Sequence, residues 1–181
     1  MSAAPDTSIR LAAGRDDLPA LQELIFDHGA NIWNYLPEDG IREHLDDIAQ
    51  GRAHGVLALE QEQLIGAVTF GLSTDFDHYL PEQARGTPQG YVSEAVVRRE
   101  RTGQGWGSRL LRQALAELGK LGADVVFIDR HEENLASAGM MRHVGFVEIE
   151  TYADPRRRPH GSGRTTVCCF SFADRNGPPG R

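Results

Sequence analysis

Residues 91–121 constrain the fold more than any other stretch. Tyr91 to Val97 reads as a strand and Leu110 to Leu121 as a helix, and the joint between them carries Gly103, Gly105 and Gly107 at alternating positions. Glycine lets backbone N–H groups approach a ligand closely, and a helix N-terminus favours negative charge. A strand, a glycine-rich turn and a helix in succession form a phosphate-binding turn. A flexible turn ahead of a helix is the plainer reading. The spacing excludes two nucleotide motifs: these glycines do not fit Gly-x-Gly-x-x-Gly, and no Gly-Lys-Ser/Thr closes the loop.

Around this joint the pattern is mixed α/β. Asp124 to Asp129 is a buried-type strand, so strand, helix and strand make a right-handed crossover with a parallel pair. Upstream, Ser8 to Ala12 reads as a first strand. Asp16 or Asp17 can cap a helix with Pro19 in its first turn, with Leu18, Leu21, Leu24 and Ile25 on one face and Gly29 at its end. A second amphipathic helix spans Glu38 to Gln50. Val56 to Glu60 and Leu64 to Leu72 form a hairpin around Gln61-Glu62-Gln63. Ser73 to Gly90 is a long polar stretch of the functional or mobile kind, whose Asp75, Asp77 and His78 read as solvated side chains rather than metal ligands. Glu148 to Ala153 and Arg164 to Phe172 are the last strands. The loop between them carries Arg156, Arg157, Arg158 and His160. It reads as a solvated hairpin tip, or as a cation cluster for an anionic acceptor or a phosphate. One domain, 1–181, is expected, with loose tails at about 1–7 and 173–181.

A second motif lies about thirty residues beyond the glycines. Asn134-Leu135-Ala136-Ser137-Ala138-Gly139-Met140-Met141-Arg142-His143-Val144-Gly145-Phe146 reads as a short helix closed by Gly145. It resembles the Asn-x-x-Ala-x-x-x-Tyr-x-x-x-Gly-Phe segment of the GNAT acyltransferase superfamily. The glycine joint resembles that family's Gln/Arg-x-x-Gly-x-Gly/Ala loop, with Thr102 at the Gln/Arg position beside Arg101. The resemblance implies a GNAT-like α/β fold. Its mixed sheet would have mostly antiparallel N-terminal strands, flanking helices and a central parallel pair splayed at the acetyl-CoA site.

Activity and site residues follow from the resemblance as expectations. Arg101, Thr102, Gly103, Gln104, Gly105, Trp106, Gly107 and Ser108 would receive the pyrophosphate, with Arg98 or Arg99 also able to neutralise its charge. Val96 and Val97 would offer backbone groups to the pantetheine arm, and Asn134 would hydrogen-bond it. The implied activity is N-acetyl transfer from acetyl-CoA to a primary amine of a small molecule or peptide. Trp33 and Tyr35 are either acceptor-pocket or core residues. The family's usual acid, a tyrosine seven residues after the asparagine, is replaced by Met141. Tyr152 or Tyr79 could substitute, or the protein could be a non-catalytic acyl-CoA-binding or regulatory module.

For the acyl transfer that the resemblance implies, Glu94 is the leading candidate for general base. A carboxylate in mid-strand, two residues before the cofactor segment, would be partly buried and raised in pKa. Facing water or an ion-pair partner is the alternative. Asp129 and His131, at the mouth of the next strand, are further candidates.

Charge and cysteine usage set limits. A formal net charge of −7 argues against general nucleic-acid binding and suits amine substrates. No apolar run reaches membrane-spanning length, and Met1 to Arg10 lacks the apolar core of a secretory signal, so a cytoplasmic location is expected. Cys168 and Cys169 are adjacent in a strand, where side chains alternate, so no disulfide joins them. No metal-ligand spacing occurs. A homodimer is allowed for.

Overall fold

The computed structural model describes residues 6–173, so of the expected tails only Asp6, Thr7 and Ala173 fall within it. Seven strands form one sheet in the order β1-β2-β3-β4-β5-β7-β6. They are β1 (Thr7–Leu11), β2 (Ala53–Glu60), β3 (Gln63–Ser73), β4 (Gln89–Val97), β5 (Val125–His131), β6 (Val147–Ala153) and β7 (Arg164–Ser171). Four α-helices flank them: α1 (Leu18–Leu24), α2 (Glu38–Ala49), α3 (Trp106–Lys120) and α4 (Leu135–Val144). The expected elements are all present, with ends shifted by a few residues. Helix α1 runs on as a π-turn over Ile25–Gly29. No helix among the described residues is long and apolar enough to cross a membrane.

The sheet separates two apolar layers because its strands alternate. On one face α3 and α4 bury Leu110, Leu111, Ala114 and Val144 against Val68, Phe70, Val92 and Val126. On the other, α1 and α2 bury Leu21, Leu24, Ile41 and Leu45 against Leu57, Leu64, Ala67 and Val96. Each such Leu, Ile, Val or Phe side chain contributes roughly 1.5–3 kcal/mol on burial. The long segment between β3 and β4 is exposed at Asp75, at His78 and along most of 81–88, as a solvated loop would be, yet it is anchored at several points. Phe76 stacks on Phe127 at 4.8 Å, Leu80 is buried against it, and Asp77 accepts a hydrogen bond from the Gly86 amide at 2.8 Å.

Two irregularities of β4 shape the site. Among the described residues only β4 and β5 pair in parallel, and their pairing stops at Val92↔Ile128. Beyond that point β4 stays on β3 as far as Val97, and β5 stays on β7 as far as His131. The two strands therefore splay, leaving backbone groups facing a gap. The second irregularity is a bulge. Thr69 pairs with Glu94 and Phe70 with Val92, so Ser93 is the extra residue. It restores the alternation one residue late, which turns Glu94 onto the face of Tyr91 and away from that of Val92.

Candidate active site

A cleft of about 1030 Å³ runs through the splay. At one end lies the start of α3. Gly103 and Gly105 sit at φ of 78° and 81°, a left-handed backbone that favours glycine. Gly105 is the N-cap residue, and no side chain caps the helix. The first-turn amides of Trp106, Gly107 and Ser108 have no intrahelical acceptor. A Cβ at Gly107 would meet Met140 Sδ at 2.7 Å, so this glycine lets α4 pack against α3. The result is a concave set of N–H donors at the positive end of a helix dipole, a place for a phosphate.

The side chains here do less than the backbone. Trp106 is a core residue, 7 % exposed, with the Arg109 guanidinium 4.6 Å from its ring centre. Gln104 donates to the Glu100 carbonyl and Thr102 to the Arg98 carbonyl, each at 3.4 Å. Arg101 borders the cleft, but its guanidinium is committed to Glu60. Arg98 donates to the Leu64 carbonyl at 2.7 Å. Arg101 is thus paired with a carboxylate, whereas the bond of Arg98 to a neutral carbonyl does not compensate its positive charge. Asn134 lines the cleft and caps α4, its Oδ1 accepting from the Ser137 amide at 3.1 Å. The side chains of Val96 and Val97 pack into opposite layers, while their backbones belong to the splayed stretch.

Glu94 faces the other end of the cleft, together with Trp33, Asn34, Tyr35 and His44. It is half-buried, and its pKa is pushed up to about 7. Burial is the main cause and Asp129 adds to it. A hydrogen bond from the Asn34 side chain and the charges of Arg158 and Arg157 pull the other way. Asn34 is itself held by the Gly29 carbonyl at 3.1 Å, where the π-turn ends. His44 lies 2.8 Å from the hydroxyl of Thr69, the cross-strand neighbour of Glu94, and burial lowers its pKa.

The tri-arginine run departs from a solvated hairpin tip. Arg158 is 6 % exposed and donates to Asp129 at 2.7 Å and to Thr165 at 3.0 Å. Arg157 also binds Asp129, at 2.9 Å. Arg156 and Arg157 remain exposed at the surface, and of the three Arg158 alone is buried. Asp129 is held by two guanidinium groups and by the Tyr91 hydroxyl at 3.3 Å, so its oxygens are engaged by the protein rather than offered to the cleft. His131 is buried, and both ring nitrogens are engaged: Nδ1 accepts from the Glu133 amide at 3.0 Å, so Nε2 donates to the His160 carbonyl at 2.8 Å. Two of the three expected base candidates are thus tied up.

The expected acid substitutes lie elsewhere. Tyr79 and Tyr152 border a second, smaller cavity, where the Tyr79 hydroxyl donates to Glu150. Burial raises the pKa of Tyr152. Met141 is 4 % exposed and part of the α3/α4 core, with one side on the main cleft. Trp33 and Tyr35 are lining residues; Trp33 packs 4.7 Å from the His131 ring and Tyr35 is exposed. Neither cysteine is in a disulfide, and burial pushes Cys168 up to about 11. No cluster of His, Cys, Asp and Glu among the described residues could hold a metal ion. Sequence reasoning missed Asn34, His44 and the inward turn of Arg158, none of which carries a local signal.

The sheet is mixed and splays after its parallel pair, with the uncapped start of α3 at the splay. The chain belongs to the acetyltransferase (GNAT) family, whose model matches residues 19–146. Solved structures share the fold. An acetyltransferase of the GNAT family from Streptococcus pneumoniae superposes with a TM-score of 0.70 at 17% identity, over 92% of this chain and 100% of that one. A Bacillus subtilis acetyltransferase in complex with CoA gives 0.67 at 16%, over 92% and 99%. The ribosomal-protein-S18-alanine N-acetyltransferase from Escherichia coli gives 0.68 at 15%, over 92% and 94%. No curated protein sequence matches the chain significantly.

Proposed function

We propose that the protein transfers the acetyl group of acetyl-CoA directly to a primary amine of a small molecule or peptide. One observation carries the reading: the uncapped start of α3 and the raised carboxylate of Glu94 open onto the same splay. In this reading the amides from Gly103 to Ser108 hold the pyrophosphate. Backbone groups of Val96 and Val97, with the Asn134 amide, hold the pantetheine, and the thioester lies in the gap between β4 and β5. Glu94 takes a proton from the acceptor ammonium, directly or through a water, and frees its lone pair for attack on the thioester carbonyl. A carboxylate with a pKa near 7 suits that task at neutral pH. The acetyl–nitrogen bond forms, the carbon–sulfur bond breaks and CoA leaves as thiolate, which takes up, directly or through water, the second proton that the nitrogen sheds. A thiolate is a tolerable leaving group, so a dedicated acid is not required, consistent with Met141 where a tyrosine would stand.

Met141 also favours a second reading, an acyl-CoA-binding module without turnover. Thiol release from acetyl-CoA across a panel of primary amines separates the two: the transferase releases thiol above the hydrolysis rate with at least one amine, and the module with none. Absence of CoA binding in calorimetry contradicts both.

A further inference from the structure

We propose that the smaller cavity, over β5, β7 and β6, is a subsite for a second cationic group of the acceptor. The proposal rests on the acetyl-transfer reading. The cavity measures about 500 Å³. Its walls include Phe76, Tyr79, Tyr91 and Tyr152, and its carboxylates include Asp129 and Glu150, with Asp75 beside Phe76. Aromatic faces combined with carboxylates are the chemistry that holds an ammonium group.

The internal charges leave room for such a guest. Arg157 also borders this cavity, but it pairs with Asp129 at 2.9 Å and Asp154 at 3.6 Å. Arg158 completes the neutralisation of Asp129 at 2.7 Å. Glu150 accepts from the Tyr79 hydroxyl, and among the described residues neither Glu150 nor Asp75 has a Lys or Arg partner. Those two carboxylates give the cavity its unbalanced negative charge.

The cavity adjoins the active-site cleft, since Tyr91, Asp129 and Arg157 line both. Asp129, Val167 and Glu150 sit side by side in register on β5, β7 and β6, and β4, which carries Glu94, lies next to β5. From β4 to β6 is three strand spacings, at least about 14 Å, since β4 and β5 have splayed apart at Glu94. An acceptor that places its reactive amine at Glu94 can lay an aliphatic spacer over the neutralised Asp129–Arg157 pair. Its second ammonium then reaches Glu150 and Tyr152. The ligand class is an extended di- or polyamine, or a peptide with a lysine near its amino-terminus.

The test compares 1,10-diaminodecane with 10-aminodecan-1-ol, which has the same reach and a neutral far end. The diamine is expected to bind at least tenfold more tightly in calorimetry and to show at least tenfold higher kcat/KM. Glu150→Gln, at an exposed position, should bring the two compounds to within about twofold, and Tyr152→Leu should do the same in part. Spermine and a lysine-bearing peptide, each against an analogue with its second ammonium removed, identify the source of the group. Equal binding of diamine and amino alcohol by the wild type, wild-type discrimination in Glu150→Gln, or no preference with either natural source overturns the subsite. Calorimetry reads these outcomes without turnover, so a failure of the acetyl-transfer reading shows separately, as absent thiol release with every amine.

Discussion

At the α3 end of the cleft the groups on offer are backbone amides; at the Glu94 end they are side chains gathered from distant elements. The first end depends on local chain geometry: two left-handed glycines, one glycine that admits α4, and a helix with no side-chain cap. The second depends on a bulge at Ser93, a π-turn that presents Asn34, and a loop that drives Arg158 inward onto Asp129. A backbone site tolerates side-chain change wherever a Cβ fits. A side-chain site has one carboxylate that cannot be replaced by its neighbours, because Asp129 and His131 are already engaged.

Perturbing each end separately sharpens this contrast. The largest expected effect is at Met141, buried between α4 and the sheet. Met141→Ala should cost about 2–5 kcal/mol in denaturant unfolding. A thousandfold loss of turnover with unchanged stability would instead make Met141 a reacting-centre residue. Next is Glu94→Gln, which keeps shape and hydrogen bonding but removes proton acceptance. We expect kcat to fall about a hundredfold, in the range typical of general-base catalysis, with CoA affinity nearly unchanged. The same variant has a stability signature. Because the folded pKa is raised from 4.5 to about 7, the native state holds a proton that the unfolded chain releases. Wild-type stability therefore falls as pH rises from about 4.5 to about 7 on this account, and Glu94→Gln gains on the wild type across that window. Thermal melts at pH 5 and pH 8 should show the gain.

Gly105→Glu acts at the other end. It places a side chain on a left-handed backbone and a carboxylate where phosphate belongs. CoA affinity should drop at least tenfold, about 1.4 kcal/mol. Unchanged affinity in a folded variant would show that the turn does not hold the pyrophosphate. The smallest effect lies outside the cleft. The β2–β3 hairpin turns through Gln61 and Glu62 at φ of 50° and 65°. Such a turn favours Asn-Gly, so replacing Glu62 by glycine should stabilise the protein by less than about 1 kcal/mol and leave both ends of the cleft untouched.

The same contrast explains what was legible in the sequence. Helices α2 and α3 show their apolar spacing, and the glycine turn and the Asn134 segment are contiguous, so the α3 end could be read directly. Glu94 was legible as an odd carboxylate in an apolar strand. Its facing was not, because a bulge is a property of two strands and not of one. The Arg156–Arg158 run looked like a surface tip because its partner Asp129 is nearly thirty residues away in the chain. The segment from Ser73 to Gly90 looked solvated because polar residues dominate it, while a single ring, Phe76 stacked on Phe127, does much of the anchoring.

The central claim is that a carboxylate held near pH 7 accepts the substrate proton, and the pH–rate profile of kcat/KM reads it most directly. With any amine that proves to be an acceptor, the wild-type profile should rise on its acidic limb with a midpoint near 7, and Glu94→Gln should lose that limb. A wild-type limb that persists unchanged in Glu94→Gln would contradict the account.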